Sequence, residues 1–182
     1  MRARSQQSYD HLIKAFHWSS LLLIAGAYLA MWASDFVATK DQKSILLTLH
    51  YSLGITVLVV TLFRLGWRWR AQIPGLPADL PAIQRVAART TEYLLYALLV
   101  LQPMLGMLFL NGRGRPIDLY FSGELPPIFS IDKILANQAI AAHELVAYVL
   151  LTAIALHAAA ALFHHYVRRD DVLNAMLPGR HI

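Results

Sequence analysis

The sequence predicts an all-α integral membrane protein, a four-helix transmembrane bundle with both termini cytoplasmic. Three observations predict it. Apolar residues make up 57% of the 182-residue chain and charged residues only 15%, against about 45–50% and about 25% in soluble domains, and the mean hydropathy is +0.47. The apolar residues are gathered into four long runs. The Lys and Arg residues fall between those runs with a marked bias to one side.

A helix needs about 20 mostly apolar residues to cross about 30 Å of hydrocarbon. The first run extends from about Ala15 to Ala33 and the second from about Ile45 to Trp67. The third covers about Glu92 to Leu110 and the fourth about Ile140 to Tyr166, all within one domain spanning 1–182. The first run has a basic start and small residues at Ala25-Gly26-Ala27, as a cleavable leader has, but three further spans follow and it is expected to be retained. Pro103 lies inside the third span, where a membrane helix tolerates it and a kink is expected. Pro74, Pro77 and Pro81 make the first half of the loop between spans two and three irregular. The loop from Asn111 to Gln138 is rich in Gly and Pro, then turns helix-permissive from about Ile131.

Orientation follows from the cations. Arg2, Arg4, Lys14, Arg64, Arg68, Arg70, Arg85, Arg89, Arg168, Arg169 and Arg180 share one side, which is eleven of the 16 Lys and Arg residues. Lys40, Lys43, Arg113, Arg115 and Lys133 lie on the other. The majority side is therefore cytoplasmic. The net charge of +5 is dispersed between spans, so it reads as topology and not as a nucleic-acid surface. There is no cysteine, which excludes disulfides, thiolate ligation, iron–sulfur clusters and covalent Cys-x-x-Cys-His attachment.

Four of the eight histidines lie inside spans, where an ionisable group is costly and functional by default. His17 is near the cytoplasmic end of span one, His50 near the outer end of span two and His143 near the outer end of span four. His157 follows His143 by fourteen residues. That spacing is ~21 Å and nearly four whole turns, so both share one face at two depths. Antiparallel topology then lets His143 meet only His50, and His157 only His17. Two such pairs suit the axial ligation of two haem irons. A zinc site wants three or four clustered ligands, usually with Cys or carboxylate. The competing reading of each histidine is a hydrogen-bonded polar residue gluing helices together.

Arg64 follows His50 by the same fourteen residues and needs an anionic partner at that depth. A haem propionate is the expected one; snorkelling to the surface is the alternative. Gly54, one turn after His50, allows either a porphyrin plane against the helix or close helix packing. Gly106 in span three has the same two readings, with packing preferred. His164, seven residues after His157, and His165 read as interfacial anchors, with proton uptake or a quinone headgroup site as the alternative for His164. His11 and His181 read as solvated tail residues. Trp18, Trp32, Trp67 and Trp69 read as an aromatic belt.

These residues carry a resemblance. Phe16-His17-Trp18, Leu49-His50-Tyr51-Ser52-Leu53-Gly54, Phe63-Arg64-Leu65, Ala142-His143-Glu144, Leu156-His157-Ala158-Ala159-Ala160 and His164-His165-Tyr166 are similar to strings of the bacterial four-helix cytochrome b561 family. The similarity covers nearly the whole chain. It implies two b haems on His17, His50, His143 and His157. It also implies electron transfer between a donor at one membrane face and a quinone, in the bacterial inner membrane. Some members are superoxide:ubiquinone oxidoreductases, so superoxide is the expected donor and ubiquinone the expected substrate. Six-helix relatives use ascorbate, but this chain has two helices fewer. Arg113, Arg115 and Lys133 are placed to steer a small anionic donor, or are ordinary loop charge offset by Asp118, Glu124 and Asp132. A second class of function is a haem-bearing anchor subunit linking quinone to a soluble dehydrogenase or hydrogenase partner. A third is a structural membrane protein without cofactor.

Overall fold

A computed structural model describes residues 8–77, 79–120, 123–128 and 131–179. Arg2, Arg4, Arg180 and His181, counted above, lie outside the described residues. Four helices long and apolar enough to cross a membrane make the body of the protein. These are α1 (His11–Ala33), α2 (Lys40–Arg68), α3 (Ala82–Gly112) and α4 (Lys133–Phe163). The first three expected spans sit inside these helices, and the fourth, to Tyr166, runs past α4 into the π-helical turn that continues it. The largest extension is in α3, which begins at Ala82 directly after Pro81 rather than near Glu92; Pro is well suited to such a helix start. It runs unbroken through Pro103.

The helix starts follow from local chemistry. Asp10 accepts from Leu12 N at 2.8 Å, Thr39 from Gln42 N at 3.2 Å and Asp132 from Ile134 N at 2.5 Å, each satisfying an amide that the helix leaves unpaired. α4 ends in a π-helical turn, His164–Arg168, closed by Arg169 in the left-handed region (φ 56°). A short helix α5 (Val172–Met176) follows. Between α3 and α4 lie two antiparallel strands, β1 (Ile117–Leu119) and β2 (Gly123–Leu125), paired Ile117 to Leu125 and Leu119 to Gly123. The hairpin and α5 add to the four spans read from the sequence.

α1 packs along α2, α3 along α4, and α2 against α3. Val57, Leu98, Leu99, Leu150 and Ala153 form the buried layer at mid-height. Large apolar residues such as Leu22, Phe63, Leu145 and Leu156 are well exposed, as expected where lipid rather than water meets the surface. The hairpin is bound to α2 through hydroxyls one turn apart. Ser52 Oγ donates to the Asp118 carbonyl at 3.2 Å and accepts from Tyr120 N at 2.8 Å. Thr48 Oγ1 donates to Asp118 Oδ2 at 3.4 Å, and Thr56 Oγ1 meets Tyr120 Oη at 2.6 Å.

At the end of α3 the packing requires glycine. A Cβ on Gly112 would lie 2.5 Å from the Ala136 Cβ and 2.7 Å from Ile131 Cγ1, and Ala136 is fully buried. A Cβ fixed to the α4 backbone cannot yield as a flexible chain end does. Gly112→Ala should therefore lower stability in detergent by about 1–3 kcal/mol, read by thermal unfolding. An unchanged melting temperature would contradict this close approach.

Candidate functional site

The structure brings the four span histidines together as two pairs. His50 on α2 faces His143 on α4 with ring centres 6.1 Å apart and planes at 81°. His17 on α1 faces His157 on α4 with ring centres 6.2 Å apart and planes at 59°. The first pair lies toward the hairpin face of the bundle, the second toward the face that carries the described chain ends. Two imidazoles bound to one metal at about 2 Å each, with about 1 Å more from nitrogen to ring centre, have centres about 6 Å apart. Both pairs match that spacing. Among the described residues, no third ligating side chain is gathered at either pair.

The hairpin-face pair is oriented by backbone carbonyls. His50 Nδ1 lies 2.9 Å from the Ala27 carbonyl of α1, and His143 Nδ1 lies 2.9 Å from the Gln102 carbonyl of α3. A carbonyl only accepts, so each Nδ1 carries the proton and each Nε2 keeps its lone pair. This is the second-shell arrangement that prepares histidine to bind a metal.

At the other pair the neighbour is a cation. Arg64 Nη2 lies 3.3 Å from His17 Nδ1, and its guanidinium carbon lies 5.2 Å from the centre of the Tyr96 ring. A guanidinium only donates, so this contact puts the His17 proton on Nε2. Metal ligation through Nε2 requires Arg64 to release His17 and turn to an acceptor. Arg64 Nε is buried without a hydrogen-bond partner among the described residues, as are Thr61 Oγ1 and Gln102 Oε1. An unpaired buried donor costs about 1–3 kcal/mol, and a propionate would satisfy this one. His50, Gly54, Val57, Thr61 and Arg64 follow one another at alternating spacings of four and three, which places them on one stripe of α2.

Gly54 decides between its two readings. A Cβ there would meet nothing within 4 Å, so close helix packing does not explain it. Room beside His50 is what a flat ring system needs. Gly106 takes the packing reading: a Cβ would lie 3.2 Å from His143 Cε1 of the adjacent α4. Its role is to admit the His143 imidazole against α3. The donor set, the ring spacing, the room at Gly54 and the unpaired Arg64 Nε together fit haem.

Outside the pairs, His164 Nδ1 donates to Asp170 Oδ2 at 2.6 Å. Arg168 joins through Nε to Asp170 at 3.2 Å and through Nη2 to Asp79 at 2.9 Å. Burial pushes the Asp170 carboxyl up, but the hydrogen bonds from His164, Val172 N and Arg168 outweigh it and hold it below the usual carboxylate value. Asp170 was not singled out from sequence; its signal is an acidic residue in a basic segment just past a span. The three loop cations separate. Arg113 donates to Asn137 Oδ1 at 2.8 Å and lies over the Phe109 ring. Arg115 joins Lys40, Lys43, Tyr51, Asp118 and Glu124 around a cavity of about 430 Å³. Lys133 opens α4 and does not line it. Tyr51 also meets the His50 ring edge-on, centres 6.0 Å apart, although neither His50 nor His143 lines the cavity. Among the tryptophans, Trp69 is 91% exposed and Trp32 half-exposed, as an aromatic belt requires.

A family model described as prokaryotic cytochrome b561 matches residues 8–179. "Cytochrome b561 homolog 1" of Escherichia coli (strain K12) is 32% identical over 90% of this chain and 93% of its own length. "Cytochrome b561 homolog 2" of the same strain is 30% identical over 94% of this chain and 92% of its own. "Probable superoxide oxidase CybB" of Yersinia pestis is 31% identical over 96% and 98%.

If the space at Gly54 receives a porphyrin, filling it should disturb haem and not the polypeptide. Gly54→Leu is expected to lower the haem bound per chain while the haem-free protein unfolds at the wild-type temperature. Full haem content in this variant would show that the space serves something else.

Proposed function

Because the chain belongs to the prokaryotic cytochrome b561 family, and is thus a membrane haem-b electron-transfer protein, we propose that it binds two b haems and carries electrons across the bacterial inner membrane to quinone. One haem is assigned to His50 and His143, the other to His17 and His157. The observation that carries the reading is the pair of ring spacings, 6.1 Å and 6.2 Å, on opposite halves of one bundle. The bias of Lys and Arg toward the face of the chain ends makes that face cytoplasmic.

A bound haem supplies one-electron oxidation and reduction of its iron. The protein's own groups do the rest. The Ala27 and Gln102 carbonyls hold His50 and His143 in the tautomer that leaves Nε2 free. Arg64 supplies the cation that a propionate takes up on the cytoplasmic half. Arg115, Lys40 and Lys43 give the outer cavity a positive rim, which raises the local concentration of a small anion and its rate of encounter. Asp118 and Glu124 on the same wall keep that attraction moderate. Tyr51 lines this cavity and touches the His50 ring. The donor that fits is superoxide, the substrate named for the Yersinia pestis relative. At the cytoplasmic end Asp170 fixes the His164 proton on Nδ1, leaving Nε2 to exchange protons with a quinone oxygen. In balance, two superoxide anions give up one electron each and leave as dioxygen. One ubiquinone takes the two electrons and two protons to become ubiquinol.

The test is ubiquinol formation by the purified holoprotein supplied with superoxide. Wild type should form it, and Arg115→Glu should slow the superoxide-dependent step by about tenfold at low salt, with the difference shrinking as salt screens the site. Absence of ubiquinol in wild type, together with stoichiometric recovery of a soluble redox enzyme in mild detergent, would replace this reading with the anchor-subunit one.

A further inference from the structure

The two pairs are supported differently. Both rings of the hairpin-face pair give a proton to a carbonyl of a neighbouring helix. Among the described residues, neither His17 nor His157 has such a carbonyl. In neither pair do the two ligand-bearing helices pack along each other, and the hydrogen bond that joins α1 to α4, from Tyr28 Oη to the Ala147 carbonyl, lies toward the hairpin face. Something else must set the distance between His17 and His157 at this depth.

Helix α5 joins these two helices at their cytoplasmic ends. On the α4 side, Asp170 accepts from His164 Nδ1 and Arg168 Nε through Oδ2 and from Val172 N through Oδ1, the last at 3.2 Å. One carboxylate thus ties the π-helical turn to the first residue of α5. On the α1 side, three consecutive carbonyls at the end of α5 are taken by α1 or the residues just before it. Tyr9 N donates to the Ala175 carbonyl at 3.2 Å, Trp18 Nε1 to Met176 at 3.0 Å and Lys14 Nζ to Leu177 at 3.0 Å. Lys14 Nζ also donates to Ser8 Oγ at 2.6 Å, and Ser8 Oγ reaches Ala175 at 3.4 Å. A helix end leaves such carbonyls unpaired and favours a cation there. Lys14 is only 5% exposed and Ala175 is fully buried, so this joint is packed. A buried lysine is retained only when its ammonium is well satisfied.

Both ends of this link sit close to a ligand. Lys14 is one turn before His17, and Trp18, adjacent to it, meets the His17 ring edge-on at 5.5 Å. His164 is two turns after His157. We propose that α5 is a brace whose function is to position His17 against His157, with Lys14 and Asp170 as its positioning residues. The brace does the work at the cytoplasmic pair that the Ala27 and Gln102 carbonyls do at the outer one. It rests on reading the histidine pairs as haem ligands.

The outer haem provides an internal control. Electron paramagnetic resonance of the oxidised holoprotein should show two low-spin ferric signals, because the angle and strain of each imidazole pair set its g-values. His157→Ala should remove one and His50→Ala the other. Failure of that assignment would sink the haem reading itself. With the assignment in hand, Lys14→Met and Ala175→Asp should each shift or broaden the signal lost in His157→Ala and leave its partner unmoved. Lys14→Arg, which keeps the donors, should restore the wild-type signal. Both signals unchanged in Lys14→Met and Ala175→Asp would overturn the brace. So would loss of both signals together, which marks a general part in folding.

Discussion

Two imidazoles fourteen residues apart on one unbroken helix stand ~21 Å apart along its axis and nearly on one face. α4 imposes that geometry, and the rest of the bundle answers it. Each imidazole needs a partner at its own depth, so α2 must bring a histidine near its hairpin end and α1 one near its opposite end. α3 carries no ligand. It gives the Gln102 carbonyl to His143 and, at Gly106, the room for that ring. The apolar layer of Val57, Leu98, Leu99, Leu150 and Ala153 fills the interval between the pairs.

Burial of imidazole in an apolar bundle is costly unless its nitrogens are used. At the hairpin face the cost is met by carbonyls that also fix the tautomer. At the opposite face His17 alone has a partner, Arg64, which in the present arrangement favours the other tautomer of that ring. The proposed binding of haem there is therefore coupled to a movement of Arg64 from an imidazole to a carboxylate. A propionate would offer the guanidinium a charged acceptor in place of a neutral ring, and so a stronger bond than the present 3.3 Å contact. On this reading the hairpin-face pair already holds the ligating tautomer, whereas the opposite pair would rearrange to receive a haem.

Much of this was legible in the chain. The four spans follow from apolar runs, and which rings approach which follows from a spacing of fourteen and from antiparallel topology. Arg64 was legible because it repeats that spacing on α2. Gly54 was ambiguous because a small residue looks the same beside a cofactor or a helix, and only the empty surroundings of its Cβ separate the two. The hairpin left a faint trace, hydroxyls at Thr48, Ser52 and Thr56 repeating every turn, but what they bind is set by a distant loop. α5 left none. Lys14 reads as one more cytoplasmic cation, and its burial depends on a carbonyl more than 160 residues away. Contacts of that range have no local periodicity from which to be inferred.

The central claim is that each histidine pair holds its own haem. The most direct measurement is haem per chain by the pyridine haemochrome method, with the polypeptide quantified, for wild type and for single alanine substitutions of His17, His50, His143 and His157. The account predicts two b haems in wild type and about one in every single variant. A wild type without haem, or one haem that survives substitution in either pair, would contradict it.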